Sequence, residues 1–462
     1  MTRMKILSKR SVIVAALIAL IFILLFLGLS SLFPVGSPEN IPIGVFTKDQ
    51  GDPQIGKDGL GGAVVAWNDT RNKDKDIYAQ RLNDRGRTKW KKDGIPVSIG
   101  FGEQRSPQVV SFGKETIIAW IDTRNGDLDI YAQRLDANGN RKWEKNGIPV
   151  IIMGGDQRDF EILPNHKNLF VVWADTRDGS SSIYGQKIDS KGQPMWGFKG
   201  IRLSISQNEQ SHPQIFSLSS GEFVVVWEDL GSNLLPQIKA QMITKDGRLK
   251  WPHEGVLVAT GTRVRVDPRI VSDWQDQTII VWEERRSDKQ KVYAQKMASD
   301  GKILWGNEGT ALAKSSGHQW HPELVPDGEG GAIVVWKDDR SGNGDVYAQK
   351  IDEKGELQWG EAGFPLAAQK NDQAFIKITK ISEEWAGVVW KDERKKDDDI
   401  YAQIVSVSAQ KKKTKAGYPI SLGKANQQDP QIVGGKGNKA FIVWSDARRG
   451  QDRDVYGAIL KF

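Results

Sequence analysis

Apolar positions along residues 41–462 do not keep one period from end to end. They return in blocks, each built on a nearly unbroken apolar run that closes on tryptophan, at Trp67, Trp120, Trp173, Trp227, Trp282, Trp336, Trp390 and Trp444. Successive tryptophans are 53 to 55 residues apart. Runs such as AVVAW, FVVVW and AIVVW have too few polar breaks for a strand with one wet face, so they predict strands covered on both faces. In the second block four β-rich runs, at 107–112, 116–122, 129–136 and 148–151, are separated by Gly, Asn and Asp turn signals. No stretch after the N-terminal segment has helical periodicity. Four short strands per block, repeated eight times, predict an all-β chain folded as an eight-bladed β-propeller.

Its two ends distinguish a closed ring from an open solenoid. The last block stops at Phe462 after its third strand and so lacks a fourth, whereas the chain begins the repeat with an unpaired Ile41-Pro42-Ile43. Pro42 precedes Trp67 by 25 residues, as Pro365 precedes Trp390 by 25 and Pro96 precedes Trp120 by 24. The N-terminal strand therefore has the register to complete the last blade, which removes the sheet edges an open array must cap.

Composition changes the picture at the N-terminus. Residues 12–29 form 18 consecutive apolar or glycine positions behind Arg3, Lys5, Lys9 and Arg10, with no acidic residue before Glu39. That run is longer than the ~7–15-residue core of a cleaved signal and approaches a membrane span, so a transmembrane signal anchor is expected at 11–33. Small residues at Gly28, Ser30 and Ser31 leave cleavage open. The expected organisation is a cytoplasmic basic start at 1–10, the anchor, a linker at 34–40 and the propeller at 41–462. The positive-inside rule places the propeller on the extracytoplasmic side of the cell membrane. Without the four leading cations, 61 Lys and Arg face 58 Asp and Glu, so the propeller carries no basic excess of the kind nucleic acid requires. The absence of cysteine excludes disulfides, thiol nucleophiles and thiolate metal sites.

After each tryptophan the repeat reads W-x-D-x-R, a turn, D-I/V-Y-A-Q, D-x-x-G-x-x-x-W and G-I-P-V. Trp, Asp and Arg at i, i+2 and i+4 share one strand face, and seven or eight copies read as scaffold rather than one asymmetric catalytic set. The recurring Gln50, Gln104, Gln157, Gln210, Gln319, Gln373 and Gln427 are read as loop-to-loop hydrogen-bond formers. D-x-D turns such as Asp74 with Asp76, or Asp127 with Asp129, lack an EF-hand's closing glutamate. No cofactor is expected from them; calcium is the alternative to turn capping.

Function is sought where blocks depart from the pattern. The fourth loses its arginine and tyrosine. The fifth carries Arg263, Arg265, Arg269, Arg285 and Arg286 on two loops that share a face, a set able to gather at the channel mouth around a carboxylate, sulfate or phosphate. The alternative is a solvated charge run. The sixth has His318, Trp320, His321 and Glu323 in the matching loop, where H-x-x-H with a carboxylate suggests a metal, the indole suggests sugar stacking, and an ordinary loop is the plain reading. In the seventh, residues 410–415 (Gln-Lys-Lys-Lys-Thr-Lys) suit anionic lipid or solvent.

These motifs resemble the W-x-D-x-R and DIYAQRLD-x-x-G-x-x-x-W repeats of uncharacterised exported microbial proteins, a likeness that spans 41–462 and implies a propeller without an activity. The units are also loosely similar to tryptophan-docked eight-bladed propellers, the quinoprotein dehydrogenases and outer-membrane assembly lipoproteins. Gln133 and Arg134 interrupt the Y-A-L-D of those units, and no vicinal cysteines are present. The expected function is a membrane-anchored binding or scaffold module for a protein, peptide or glycan, with catalysis not favoured. The alternative is a glycan hydrolase or lyase using Glu323 or Asp267 at the channel mouth.

Overall fold

A computed structural model of the chain describes residues 39–461 except 166, 232–233, 274, 287, 408–415, 424 and 451. The expected anchor and the 410–415 segment lie outside the described residues. Among the described residues no helix is long and apolar enough to cross a membrane.

The described chain forms eight four-stranded antiparallel sheets. Labelling strands a to d from the channel outward, blade 1 spans 50–98, blade 2 104–151, blade 3 157–202, blade 4 210–257, blade 5 265–311, blade 6 319–367 and blade 7 373–421. Blade 8 takes strands a to c from Gln427–Gly435, Lys439–Asp446 and Asp454–Lys461, and strand d from Ile41–Gly44. Ile41 pairs with Gly457, Pro42 with Tyr456 and Gly44 with Val455. Each a strand touches the a strands of both neighbours, blade 8 touching blade 1, so the ring is closed and the a strands line its axis.

Every b strand is buried on both faces, and the eight repeat tryptophans have no exposed surface. In six of them the indole Nε1 donates to the Asp two residues on, at 2.9 Å from Trp67 to Asp69, and the same carboxylate receives Arg71 Nε at 2.8 Å. The guanidinium lies 4.0 Å above the Tyr78 ring and donates to the Asp93 carbonyl at 3.0 Å. Blades 2, 3, 6 and 7 repeat this Trp–Asp–Arg–Tyr stack. Blade 4, without the arginine, leaves Trp227 Nε1 unpaired, and Asp229 accepts from Asn208 and Gln210 instead.

The outer tryptophan explains the glycine of D-x-x-G. Gly139, in a left-handed turn with φ +85°, lies against Trp90 of blade 1 so closely that a Cβ would come within 3.1 Å of the indole. Trp90 Nε1 donates to the Ala137 carbonyl at 3.1 Å, docking blade 1 on blade 2. Blade 8 lacks an outer tryptophan, and Gly86 of blade 1 packs instead on Ile41 and Ile459. The second aspartate of each D-x-D turn is capped within its own turn, as Asp76 is by Asn72 at 2.8 Å and Asp129 by Asn125 at 2.8 Å.

Candidate site at the channel mouth

Each a strand opens with a bulge at its third residue, where the register slips against strand b. The residues there are Asp52, Ser106, Asp159, His212, Asp267, His321, Phe375 and Asp429, all with φ between +50° and +56°. Left-handed backbone at a non-glycine residue costs energy, and eight copies show that the bulge belongs to the scaffold while its side chain is free to vary. Two residues further on come Gln54, Gln108, Glu161, Gln214, Arg269, Glu323, Lys377 and Gln431, all half-buried. Neighbours in this second set join from blade to blade, Gln214 to Glu161 at 3.2 Å, Arg269 to Glu323 at 3.7 Å and Lys377 to Glu323 at 2.5 Å. Glu161 of blade 3 also senses Lys377 of blade 7, four blades away, which is only close across the lumen. The second set is therefore the channel lining and the first is its rim.

Four rim positions, Asp52, Ser106, Asp159 and Asp429, carry a small polar or acidic residue. Blades 4 to 7 depart, and there titratable and aromatic side chains converge. His321 Nδ1 is 3.6 Å from Asp267 and 3.6 Å from Glu283, and its backbone N–H donates to Glu283 at 2.7 Å. Arg269 closes on Asp267 at 2.7 Å. His212 of blade 4 stands 3.4 Å from Glu228, which also accepts the Asp267 backbone N–H at 2.8 Å. Burial, together with the nearby Asp267 charge, pushes the Glu283 carboxyl up. Burial acts the same way on Asp267, but His321 and Arg269 outweigh it and hold that carboxyl below its usual value. The Asp267 and Glu283 carboxylates raise His321 in turn. In the channel, Glu161 is raised by desolvation, while Lys377 and Arg269 overcome the same penalty at Glu323 and lower it. Paired carboxylates with opposed shifts are the pattern of acid and base partners.

Asp267, Glu283 and His321 offer ligand atoms within 4.8 Å of one another. Two carboxylates and an imidazole suit a borderline divalent ion; here they are held as an ion triad. Beside them on blade 6, the Trp320 ring stacks on His318 at 5.1 Å, with Lys337 5.9 Å from its centre. Phe375 on blade 7 is 57% exposed, and Lys391 lies 5.5 Å from its ring.

The five arginines of blade 5 do not gather at the mouth. Arg265 is 1% exposed and occupies the slot that glutamine fills in the other blades. It donates to Glu284 at 2.8 Å, Gln237 at 2.6 Å and the Thr260 carbonyl at 2.7 Å. Arg286 reaches Glu284 at 2.6 Å and Glu308 at 2.8 Å, and Arg263 lies 3.6 Å from Glu284. Three arginines thus neutralise one buried glutamate, Arg285 is exposed, and Arg269 alone enters the channel. Glu323 also faces the channel, while His318 and Trp320 stack at the rim. Sequence reasoning missed Glu283, Glu161, Lys377 and Phe375. The Gln-x-x-Pro that marks the bulge in blades 1, 2, 4, 6 and 8 loses its proline in blades 3 and 7, where Glu161, Phe375 and Lys377 lie, and only the register reveals a rim and a lining there.

No protein-family model matches the sequence, and no curated protein does. Among solved structures the chain is similar to a polysaccharide lyase of the PL25 ulvan lyase family bound to -[GlcA(1-4)Rha3S]-, with TM-score 0.51 and 9% identity over 80% of this chain and 96% of that one. A puromycin-hydrolyzing peptidase of Mycobacterium tuberculosis gives TM-score 0.50 and 11% identity over 91% of this chain and 63% of that one. A protein of unknown function from Dyadobacter fermentans gives TM-score 0.40 and 11% identity over 93% and 100%. At these identities the likeness defines the class, a β-propeller, and nothing finer.

Proposed function

We propose that the protein is a glycan-binding propeller that takes an acidic saccharide at the channel mouth beside blades 4 to 7. The observation that carries this reading is the juxtaposition, on adjacent rim positions, of the Asp267–Glu283–His321 triad with Trp320 and the exposed Phe375. Aromatic faces suit the apolar faces of sugar rings, and His321, Arg269, Lys337 and Lys391 supply cations for a uronate or sulfate. A fold-mate that binds a glucuronate-containing glycan is compatible with it. The apolar N-terminal run supports tethering to a membrane with the propeller outside the cytoplasm. Glycan-array screening of the full chain tests the reading: acidic glycans are bound by the native chain and lost in Trp320→Ala, and an array without any acidic hit refutes it.

A second reading, glycan cleavage, is favoured by the triad alone. Asp267, held ionised, suits a base, and Glu283, with its raised carboxyl, suits an acid; both flank His321. Release of reducing ends or unsaturated uronate from a bound glycan, abolished in Glu283→Gln, would establish catalysis.

A further inference from the structure

The a strands run from the mouth to the opposite face, where one repeated ion pair is broken in a single blade. Three residues after the tyrosine of strand c, blades 1, 2, 3, 5 and 6 carry a cation, Arg81, Arg134, Lys187, Lys296 and Lys350. Four of these five meet an acid of their own blade, from the a–b loop in blades 1, 5 and 6 and from the first residue of strand b in blade 2. Arg81 meets Asp58 at 2.8 Å, Arg134 meets Glu115, Lys296 meets Asp273 at 2.7 Å and Lys350 meets Asp327 at 3.4 Å. Blades 4, 7 and 8 have Met242, Ile404 and Ile459 at the cation position and no acid at the loop position, which holds Leu218, Ile381 and Gly435. Cation and acid are thus gained and lost together, except in blade 3. There the acid's place is taken by Asn165 and the lysine remains.

Lys187 keeps the inter-blade bond its counterparts make, Nζ to the Lys245 carbonyl at 2.9 Å, as Lys296 does to Gly330 at 2.8 Å. Among the described residues it makes no ion pair. Its Nζ lies 5.6 Å from the Phe170 ring, and desolvation, aided by Lys245, lowers its affinity for a proton although Asp246 opposes this. Asp246 is itself held by Arg248 at 2.8 Å and by Thr244. In front of Lys187 lies a cavity of about 560 Å³ between blades 3 and 4, lined by Asn165, Asn168, Ser217, Ser219 and Lys245 as well as Lys187. No described acidic side chain lines it.

We propose that this cavity is an oxyanion site, in which a sulfate or phosphate group, free or carried on a sugar, takes the place of the carboxylate that blade 3 lacks. Lys187 and Lys245 supply the charge, and the amides of Asn165 and Asn168 with the Ser217 hydroxyl supply further donors. The site is independent of the mouth, and its failure would leave the function proposed above untouched.

Calorimetric titration of the full chain with sodium sulfate, against sodium chloride at equal ionic strength, tests it, with glucose 6-sulfate as a second ligand. Sulfate or the sugar sulfate binds the native chain; binding by the sugar alone assigns the group to a saccharide. Lys187→Met copies Met242 of blade 4, so the scaffold already accepts it, and weakens binding by about tenfold or more, the loss expected for one charged hydrogen bond. Asn165→Asp, which restores the missing carboxylate, does the same by competition. Should either variant misfold, sulfate protection of Lys187 from acylation in the native chain gives the same answer. Neither ligand binding above chloride, or Lys187→Met binding as the native chain does, overturns the proposal.

Discussion

Ile43→Ala tests whether the N-terminal strand closes the ring. Ile43 is 1% exposed and packs among Trp67 and Val65 of blade 1 and Val443 and Val455 of blade 8. Its Cδ1 occupies space that Gly457 leaves vacant, since a Cβ there would come within 2.7 Å of it. Truncation removes three buried carbons, each worth about 0.8 kcal/mol, and leaves a cavity between two blades, for a total of about 2–4 kcal/mol. Ile420→Ala in strand d of blade 7 is the matched control, because Ile420 is equally buried but its strand follows strand c directly in the chain. Urea denaturation should show a comparable loss for both. Hydrogen exchange should separate them, because only Ile43→Ala frees the outer edge of Asp454–Lys461 and speeds exchange there. A stability change under about 0.5 kcal/mol, the size expected for an exposed site, with unchanged exchange in that strand, would refute closure.

Three further outcomes follow from the same geometry. Asp122→Ala strips the partner from Trp120 and Arg124 in a buried stack and should cost about 3–5 kcal/mol by thermal or urea unfolding, with ligand binding lost only as the fold is lost. Arg265→Ala should destabilise by a similar amount, about 3–5 kcal/mol, because it strands Glu284, and should leave glycan affinity of the folded fraction unchanged. The hydrogen bond with Glu228, with Asp159 and Asp267 adding charge, raises His212 above its usual 6.5, so its NMR titration midpoint should fall in Glu228→Gln. The stability that pair contributes is present below pH 6.5 and is lost as the pH climbs through the raised His212 value.

Architecture was legible because its causes are local and repeated. The tryptophan spacing, the both-faced burial of AVVAW-like runs and the Pro42-to-Trp67 offset each describe one strand and its neighbour. Strand limits moved by only a few residues, as with strand a of blade 2, expected from 107 and found at Gln104–Phe112. The site was less legible because it is made between blades. Arg265 and Glu284 replace the usual Gln and Asp in the same blade, a joint substitution that marks a repacked structural pair, yet read singly each looks like a functional departure. Glu283 sits at the variable x of W-x-D, a position with no repeat character, and its bond to His321 depends on a bulge that sequence periodicity does not encode. Lys187 stands out only once its counterparts are known to be paired.

The central claim, an acidic saccharide seated on the rim of blades 4 to 7, is tested most directly by a crystal structure of the chain with a glucuronate-containing oligosaccharide. The account predicts a sugar ring against Trp320 or Phe375, with its carboxylate within hydrogen-bonding distance of His321 or a neighbouring cation. A ligand seated elsewhere on the propeller, or an empty rim at saturating oligosaccharide, would contradict it.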